Sequence, residues 1–517
     1  MQETPPSQMR QANTALLHVA VDFTEWVQDN EHQEARRFAL GYLKSLASYD
    51  AADLRLVFLT SIASHAEASA LARRVDEVLC VETAFENNPE SDGRPGQKTW
   101  LSNPPPDFLL RIGVHALYAP LGYSKYACAE IPSVNLITDV LHRDYPGSLV
   151  PESIARCEQG FIAAIGSQGN FHCVSEFTKS RVKANYTIEG SRLACIYPSI
   201  EIRPYDQPDR RDPASMRPYF LYPADARPHK NHPTLLVSYR VYLHQAGERG
   251  WDLMLLGRED EPMQRLRQLA NTLGVGKKVH FAGNGNTPEQ ATPWKLASAV
   301  VFPSLYEGFA HPLLEAMDFN CPILSGEGSS LFEVAGTAAL YSDQSDPFKF
   351  AKAMLQMATD PELRKKLVEL GKKRRSDLAV EKQGSKLATF VRTCAQRAAP
   401  FKSKGIHLDS WIERHAIIAL PEVSEIRQIK ISLFALPVSR RLVVSLGLTE
   451  CGTFELPPGQ VHEIKLDLNL DGAPLVLDVP DAANLNPADD RIHGIALDSI
   501  TVADSAGNES KLDLPNS

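Results

Sequence analysis

Apolar and polar positions along the chain fall into three successive patterns. Up to about residue 203, short apolar runs alternate with amphipathic segments. ALLHVAVD (15–22), DLRLVFLT (53–60), PSVNLIT (132–138), FHCVSE (171–176) and LACIYP (193–198) predict strands. HQEARRFALGYLKSLASY (32–49) and PESIARCEQGFIAAIGSQ (151–168) predict helices with one apolar face. Such alternation implies a parallel sheet with helices on both faces. RPYDQPDRRDPASMRP (203–218) has no period, and its Pro, Asp and Arg content marks a linker.

The alternation then restarts. YFLYPA, DLMLLG, KVHFAG, AVVFPS, CPILSG and AALYSD predict buried strands between 219 and 343. HPTLLVSYRVYLHQAG, PMQRLRQLANTLG, HPLLEAMDF and DPFKFAKAMLQMATD predict the helices between them. After APFKSKG (399–405) the period changes to two, with Pro, Gly and Asp at the turns and no long helix. The expected fold class is α/β: two doubly wound Rossmann-like domains followed by an all-β sandwich. The expected divisions are 1–203, 216–380, bracing helices and linker over 381–404, and a separable sandwich over 405–517.

Bulk properties narrow the function. A chain of 517 residues is too long for one core, and 43% apolar with 23% charged residues is ordinary for a globular protein. The formal charge of −9 argues against a nucleic-acid binder. Lys372, Lys373, Arg374 and Arg375 form a basic run that suits a solvated helix face better than a phosphate patch. Eight scattered cysteines read as buried free thiols of a reducing compartment, without disulfides or a metal site. No secretory signal and no apolar run near the ~18 residues of a membrane span are present. A cytoplasmic protein is expected, at most peripheral at the inner face of the cell membrane. The sequons at Asn185 and Asn508 then read as chance.

The most informative stretch is PSLYEGFAHPLLEAM (303–317). AVVFPS ends a buried strand at the sheet's carboxyl edge, where open α/β folds bind ligands. Pro312 suits the first position of a helix. The loop before it is expected to aim the N–H groups of Phe309, Ala310 and His311 outward, as a phosphate site. Gly308 permits close backbone approach to a ligand. Glu307 and Glu315, eight apart, can each accept hydrogen bonds from neighbouring hydroxyls, which suits a sugar nucleotide. On spacing alone, two glutamates suited to the helix dipole explain the pattern equally well. Lys230 follows a strand by a short loop, and a mobile ammonium suits phosphate.

PSLYEGFAHPLLEAM resembles the E-x7-E signature of retaining GT-B glycosyltransferases of family 4, the glycosyl transferases group 1. YPADARPHKNHPTLL, LMLLGRED…LANTLGVGKKVHFAGN, CPILSGEGSSLFEVAGTAALYSD and LITDVLHRDYP…VSEFTKSRV…IYPSIE resemble further segments of that family, in order, over residues 105–380. The resemblance implies that Glu307 contacts the donor sugar, Glu315 holds the ribose, and Lys230 neutralises the departing diphosphate. Backbone groups at Phe309 and Ala310 support phosphate and sugar. It also implies a nucleotide-sugar donor, a saccharide or lipid-linked acceptor, and no metal or other cofactor.

The chain departs from the family at several positions. Asp225 stands where an arginine is frequent; Arg227 either substitutes or is a surface charge. Thr138 and Asp139 replace His-Asp or His-Gly, and His142 either faces the sugar or lies on the surface. The segment WVQDNEHQEARRF (26–38) lacks the expected glycine loop. The tail LNPADDRIHGIALDSITV (485–502) resembles β-domains appended to bacterial polysaccharide enzymes; Asp490 and Arg491 either bind glycan or pin a strand entry. The expected activity is transfer of a hexose, with mannose from GDP-mannose as first choice, in O-antigen, capsule or exopolysaccharide assembly. Other polysaccharide-assembly enzymes are expected partners. A non-catalytic glycan-binding or scaffold subunit on the same fold is the rival. A non-sugar nucleotide enzyme is disfavoured, since no Gly-rich phosphate motif follows a strand.

Overall fold

The computed structural model describes residues 16–26, 33–48, 54–81, 107–198, 217–283, 292–378, 380–397, 402–407, 409–421, 426–467, 473–484, 492–504 and 506–512. Seven parallel strands form the first sheet: β1 (Leu17–Phe23), β2 (Leu54–Thr60), β3 (Glu77–Cys80), β4 (Ala116–Ala119), β5 (Ser133–Ile137), β6 (Asn170–Cys173) and β7 (Leu193–Cys195). Their order is β3-β2-β1-β4-β5-β6-β7. The sequence pattern did not foretell β3 and β4. Each has only four residues, and β4 is buried throughout, so it shows no alternation.

Six strands form the second sheet: β8 (Tyr219–Pro223), β9 (Asp252–Gly257), β10 (Val279–Gly283), β11 (Ala299–Phe302), β12 (Ile323–Ser325) and β13 (Ala339–Tyr341). Their order is β10-β9-β8-β11-β12-β13, again all parallel. In both sheets the chain builds outward on one side and then returns to the other. The reversal points are β1/β4 and β8/β11, and each leaves a crevice at the strands' carboxyl ends. Two such units are the GT-B architecture. The helix Val380–Arg397 crosses back to the first unit and packs on helix Gln33–Ser48. Its Leu387, Ala388, Val391 and Cys394 are buried in the core that holds Tyr42, Leu43 and Leu46. A Cβ at Gly384 would stand 2.5 Å from the Ser45 carbonyl oxygen, so only glycine permits this approach.

The last nine strands are antiparallel: β14 (Ser403–Ile406), β15 (Trp411–Ile418), β16 (Ile426–Leu433), β17 (Arg440–Leu446), β18 (Thr449–Leu456), β19 (His462–Asp467), β20 (Leu475–Asp478), β21 (Ile495–Asp504) and β22 (Glu509–Lys511). Two layers, joined where β15 meets β21, enclose a core of Ile412, Ile429, Ile431, Leu442, Leu477 and Ile500. Period-two alternation places Ile417 and Val476 on the other face. There both are fully buried against Val57, Leu59, Leu79, Leu109 and Leu110 of the first unit.

The sandwich is therefore joined to the first unit by a shared apolar core. Polar contacts flank that core. Arg111 grips Asp478 through two nitrogens at 3.0 and 3.1 Å, and Lys404 pairs with Glu130. His415 meets Asp107 at 3.2 Å. Among the described residues, no helix is long and apolar enough to cross a membrane.

Two outcomes follow from this interface. Each side chain such as Ile417 or Val476 contributes about 1.5–3 kcal/mol on full burial. A chain ending near residue 400 is expected to melt below the full chain and to bind more of an apolar dye. Equal melting and equal dye binding would show that the interface contributes nothing. The second outcome concerns pH. The hydrogen bond to Asp107 raises the His415 pKa above its ordinary 6.5. Its stabilisation is complete below that value and is lost as pH rises through the raised value. Wild type is expected to lose melting temperature relative to His415→Gln as pH rises from the ordinary 6.5 through the raised value. Parallel melting profiles would show that this histidine does not titrate with folding.

Candidate functional site

The second sheet's crevice is built by two connections. After β8 the chain makes a tight turn, Pro228–Lys230, and enters helix His232–Ala246 through Asn231. Asn231 sits at φ +61°, a left-handed conformation that asparagine tolerates better than most residues. Its side-chain amide donates to the carbonyls of Pro303 at 3.2 Å and Gln344 at 2.9 Å. The Tyr222 hydroxyl donates to the Lys230 carbonyl at 2.6 Å, and the Leu305 N–H donates to the His229 carbonyl at 2.8 Å. Burial, reinforced by the Glu307 charge, raises the Tyr222 pKa far above its ordinary value, so the phenol stays protonated. These bonds fasten the turn after β8 to the loop after β11.

That fastening brings Lys230 and Glu307 together. The Lys230 ammonium donates to both carboxylate oxygens of Glu307, at 2.8 and 3.0 Å. The residues are 8% and 7% exposed. The sequence reading gave phosphate to one and sugar to the other; the structure joins them in a single buried pair. Ser330 anchors the loop further, its hydroxyl donating to the Glu307 carbonyl at 2.9 Å.

Helix Pro312–Asp318 begins at Pro312, as expected. Phe309, Ala310 and His311 are buried, and Ala310 stands at φ +51°. Among the described residues, the Phe309 and Ala310 N–H groups donate to no protein acceptor. Gly308 was expected to allow approach to a ligand. In the structure it allows approach to the first unit, because a Cβ there would stand 1.9 Å from the Thr138 carbonyl oxygen. The Gly308 carbonyl accepts from the hydroxyls of Ser175 and Thr178. Asp139 lies beside the same glycine, 3.3 Å from its ideal Cβ, with its carboxylate accepting the Leu141 N–H at 2.9 Å.

The other candidates lie as follows. Glu315 pairs with Arg37 of the first unit at 2.7 Å. His142 is buried rather than on the surface. Its ring packs against Phe161 and its Nε2 lies 2.8 Å from the Tyr186 hydroxyl, so it belongs to the first unit's own aromatic cluster. Burial lowers its pKa, against the pull of Asp139 and Glu158. Arg227 is half-buried in the turn after β8, its N–H donating to the Asp225 carbonyl at 2.7 Å. Asp225 holds Arg258 instead: it accepts from the Arg258 N–H and Nε, both at 2.9 Å. Asp490 and Arg491 lie outside the described residues. Among the described residues, no cluster of His, Cys, Asp or Glu is suited to hold a metal ion.

Sequence reasoning missed Arg37, Arg258 and Glu333. Glu333 reaches from the second unit to the N–H groups of Glu176 and Phe177, at 2.6 and 3.0 Å, and so caps a helix of the first unit. Only the motif SSLFEV, which follows the signature, hinted at it.

Residues 206–374, a third of the chain, match the family model of glycosyl transferases group 1. The chain is 26% identical over 190 residues to the O-antigen chain mannosyltransferase RfbU of Salmonella typhimurium, covering 37% of this chain and 51% of that protein. It is 31% identical over 153 residues to the O-antigen chain mannosyltransferase B of Escherichia coli, covering 28% of this chain and 37% of the relative. The chain thus spans about half or less of these relatives' lengths. Among solved structures, it is similar to Anabaena Alr3699/HepE in complex with UDP-glucose. The TM-score is 0.51 at 13% identity, over 73% of this chain and all of that one. That likeness concerns the fold. Residues 206–374 are thus related by sequence to the glycosyl transferases group 1, and the chain that carries them has the GT-B fold.

Proposed function

We propose that the chain is a glycosyltransferase that takes a nucleotide-sugar donor in bacterial surface polysaccharide assembly. The observation that carries this reading is the buried Lys230–Glu307 pair at the point where β8 and β11 diverge. A buried ion pair is a poor device for stability, since an apolar pair of similar volume serves as well. At a sheet's ligand-binding edge it has another use. Lys230 neutralises the diphosphate as it departs, and Glu307, released from the ammonium, accepts hydroxyls of the donor sugar. The N–H groups of Phe309 and Ala310 supply further donors to the phosphate or sugar. Glu315 accepts the ribose hydroxyls.

The relatives named for O-antigen mannosyl transfer support mannose, with GDP-mannose as donor, and a saccharide or lipid-linked saccharide as acceptor. The anomeric configuration is retained, with the leaving phosphate assisting on the face the acceptor enters. Asp139, beside Gly308, is the first unit's candidate for contact with the acceptor. His142 supports the first unit's fold around it.

A thermal-shift screen of nucleotide sugars tests the reading. A ligand at 100 times its Kd stabilises by about 2.7 kcal/mol. GDP-mannose is expected to give the largest shift. Absence of any shift would remove the donor site, and a shift without transfer or donor hydrolysis would favour the scaffold role. Lys230→Ala is expected to weaken nucleoside diphosphate binding by about 1.5–3 kcal/mol, the range for a hydrogen bond to a charged group. Calorimetry with unchanged GDP and UDP affinity would sink the phosphate role. Glu307→Gln keeps an oxygen acceptor for Lys230. It is expected to lower transfer far more than melting temperature; parallel losses of both would make Glu307 structural only.

A further inference from the structure

The two carboxylates of PSLYEGFAHPLLEAM are each met by one cation, and the cations come from different units. Lys230, in the second unit, meets Glu307. Arg37, in the first, meets Glu315 at 2.7 Å. The neighbouring Arg36 is committed to its own unit: it pairs with Glu67 at 2.9 Å and its guanidinium lies 4.8 Å from the Trp26 ring centroid. Arg37 instead reaches across the seam, with its side chain 36% exposed. Phe38, the next residue, packs edge-on against Phe309 and His311 at 6.2 and 5.8 Å. The helical turn bearing Arg37 therefore rests on the loop that follows Glu307.

We propose that Arg37 is a donor-positioning residue that brings a second cation to the diphosphate from the opposite unit. The proposal rests on the donor-site reading above. Without ligand, Lys230, Glu307, Arg37 and Glu315 sum to zero charge. A nucleoside diphosphate sugar brings two negative charges. Each glutamate then exchanges a cation for sugar or ribose hydroxyls, and each cation turns to phosphate oxygens. In the bound state the cations pair with the phosphates and each carboxylate is hydrogen-bonded by hydroxyls, so the exchange leaves no buried charge without a polar partner. Arginine suits this role, because its planar fork matches phosphate with two parallel hydrogen bonds. Its approach to Glu315 is through Nη1. Binding thereby draws the first unit onto a ligand held by the second. A mere latch predicts the opposite sign: removing it would free Glu315 and strengthen nucleotide binding.

Calorimetry on the full chain decides the matter, using GDP, GMP, UDP and UMP with wild type, Arg37→Gln, Arg37→Lys and Lys230→Ala. The base and ribose are common to each pair, so the ratio of diphosphate to monophosphate affinity isolates the second phosphate. Arg37→Gln is expected to lose at least ~10-fold in affinity for the diphosphate that wild type binds, and less than ~2-fold for its monophosphate. Arg37→Lys is expected to recover most of that loss, with both variants melting near wild type. Equal losses on both nucleotides, no loss, or a gain for Arg37→Gln would overturn the proposal. Lost diphosphate preference in Lys230→Ala beside an unchanged Arg37→Gln would keep the donor site and remove Arg37 from it. Wild type that binds neither GDP nor UDP would overturn the donor-site reading and this proposal together.

Discussion

The Lys230–Glu307 pair is the interaction on which the second unit's crevice depends. Two opposite charges have left water, and that desolvation is offset only where contacts are short and orientation is fixed. Fixation comes from the backbone. The left-handed Asn231 turns the chain so that Lys230 faces the β11 loop, and its amide ties that turn to Pro303 and Gln344. Tyr222 and Leu305 add two more bonds across the same gap. The pair thus spans the point where strand order reverses. Taking away either partner strands a charge in a buried place.

The loop bearing Glu307 belongs to two units. On one side Ser330 and the ion pair fix it to the second sheet. On the other, Gly308 meets the Thr138 carbonyl, and Ser175 and Thr178 bond the Gly308 oxygen. Tyr306, one residue before Glu307, accepts the Val140 N–H through its hydroxyl at 3.2 Å. Glu333 closes the seam a little further on, at the helix that starts with Glu176. Most of these contacts use backbone groups, so they demand a close approach that only glycine at 308 allows. A displacement at the seam therefore acts on the loop that carries the Glu307 carboxylate.

Much of this was legible from sequence because it rests on local rules. The strands β8, β9, β11 and β12 are unbroken apolar runs, and Pro312 marks its helix start by its missing N–H. The spacing of Glu307 and Glu315 drew attention to the loop, although on spacing alone the helix dipole explained both equally well. Hidden from sequence were the relations that depend on tertiary contact. Lys230 and Glu307 are 77 residues apart, and nothing local foretells that they pair. Arg37 sits beside Arg36 near the start of the helix Gln33–Ser48, and nothing local foretells that it crosses to Glu315. The strand β4 is four residues long and closes the first sheet's reversal point without any alternation. His142 looked like a loop histidine, yet the Phe161 and Tyr186 rings, 4.5 Å apart and nearly parallel, draw it into a core. Asp225 illustrates the same limit. Its position suggested a lost cation, whereas its carboxylate secures Arg258 from the adjacent strand's end.

The placement of the sandwich decides which parts of the molecule move together. Ile417 and Val476 share a core with the first unit, and Arg111 holds Asp478 across the same boundary. The helix Val380–Arg397 also packs on the first unit, with Gly384 seated against Ser45. The first sheet, that helix and the sandwich are therefore packed on one another, and the second unit, 217–378, meets the first across the seam. Any opening of the crevice breaks the seam at Gly308, Arg37–Glu315 and the Glu333 cap, while the Lys230–Glu307 pair travels intact with the second unit. The seam combines hydrogen bonds and one partly exposed ion pair, individually worth about 1 kcal/mol or little more, with the edge-on packing of Phe38 on Phe309 and His311. The sandwich boundary is apolar and held by whole side chains. The seam is the boundary beside the candidate donor site, which is where a ligand can supply the free energy of closure.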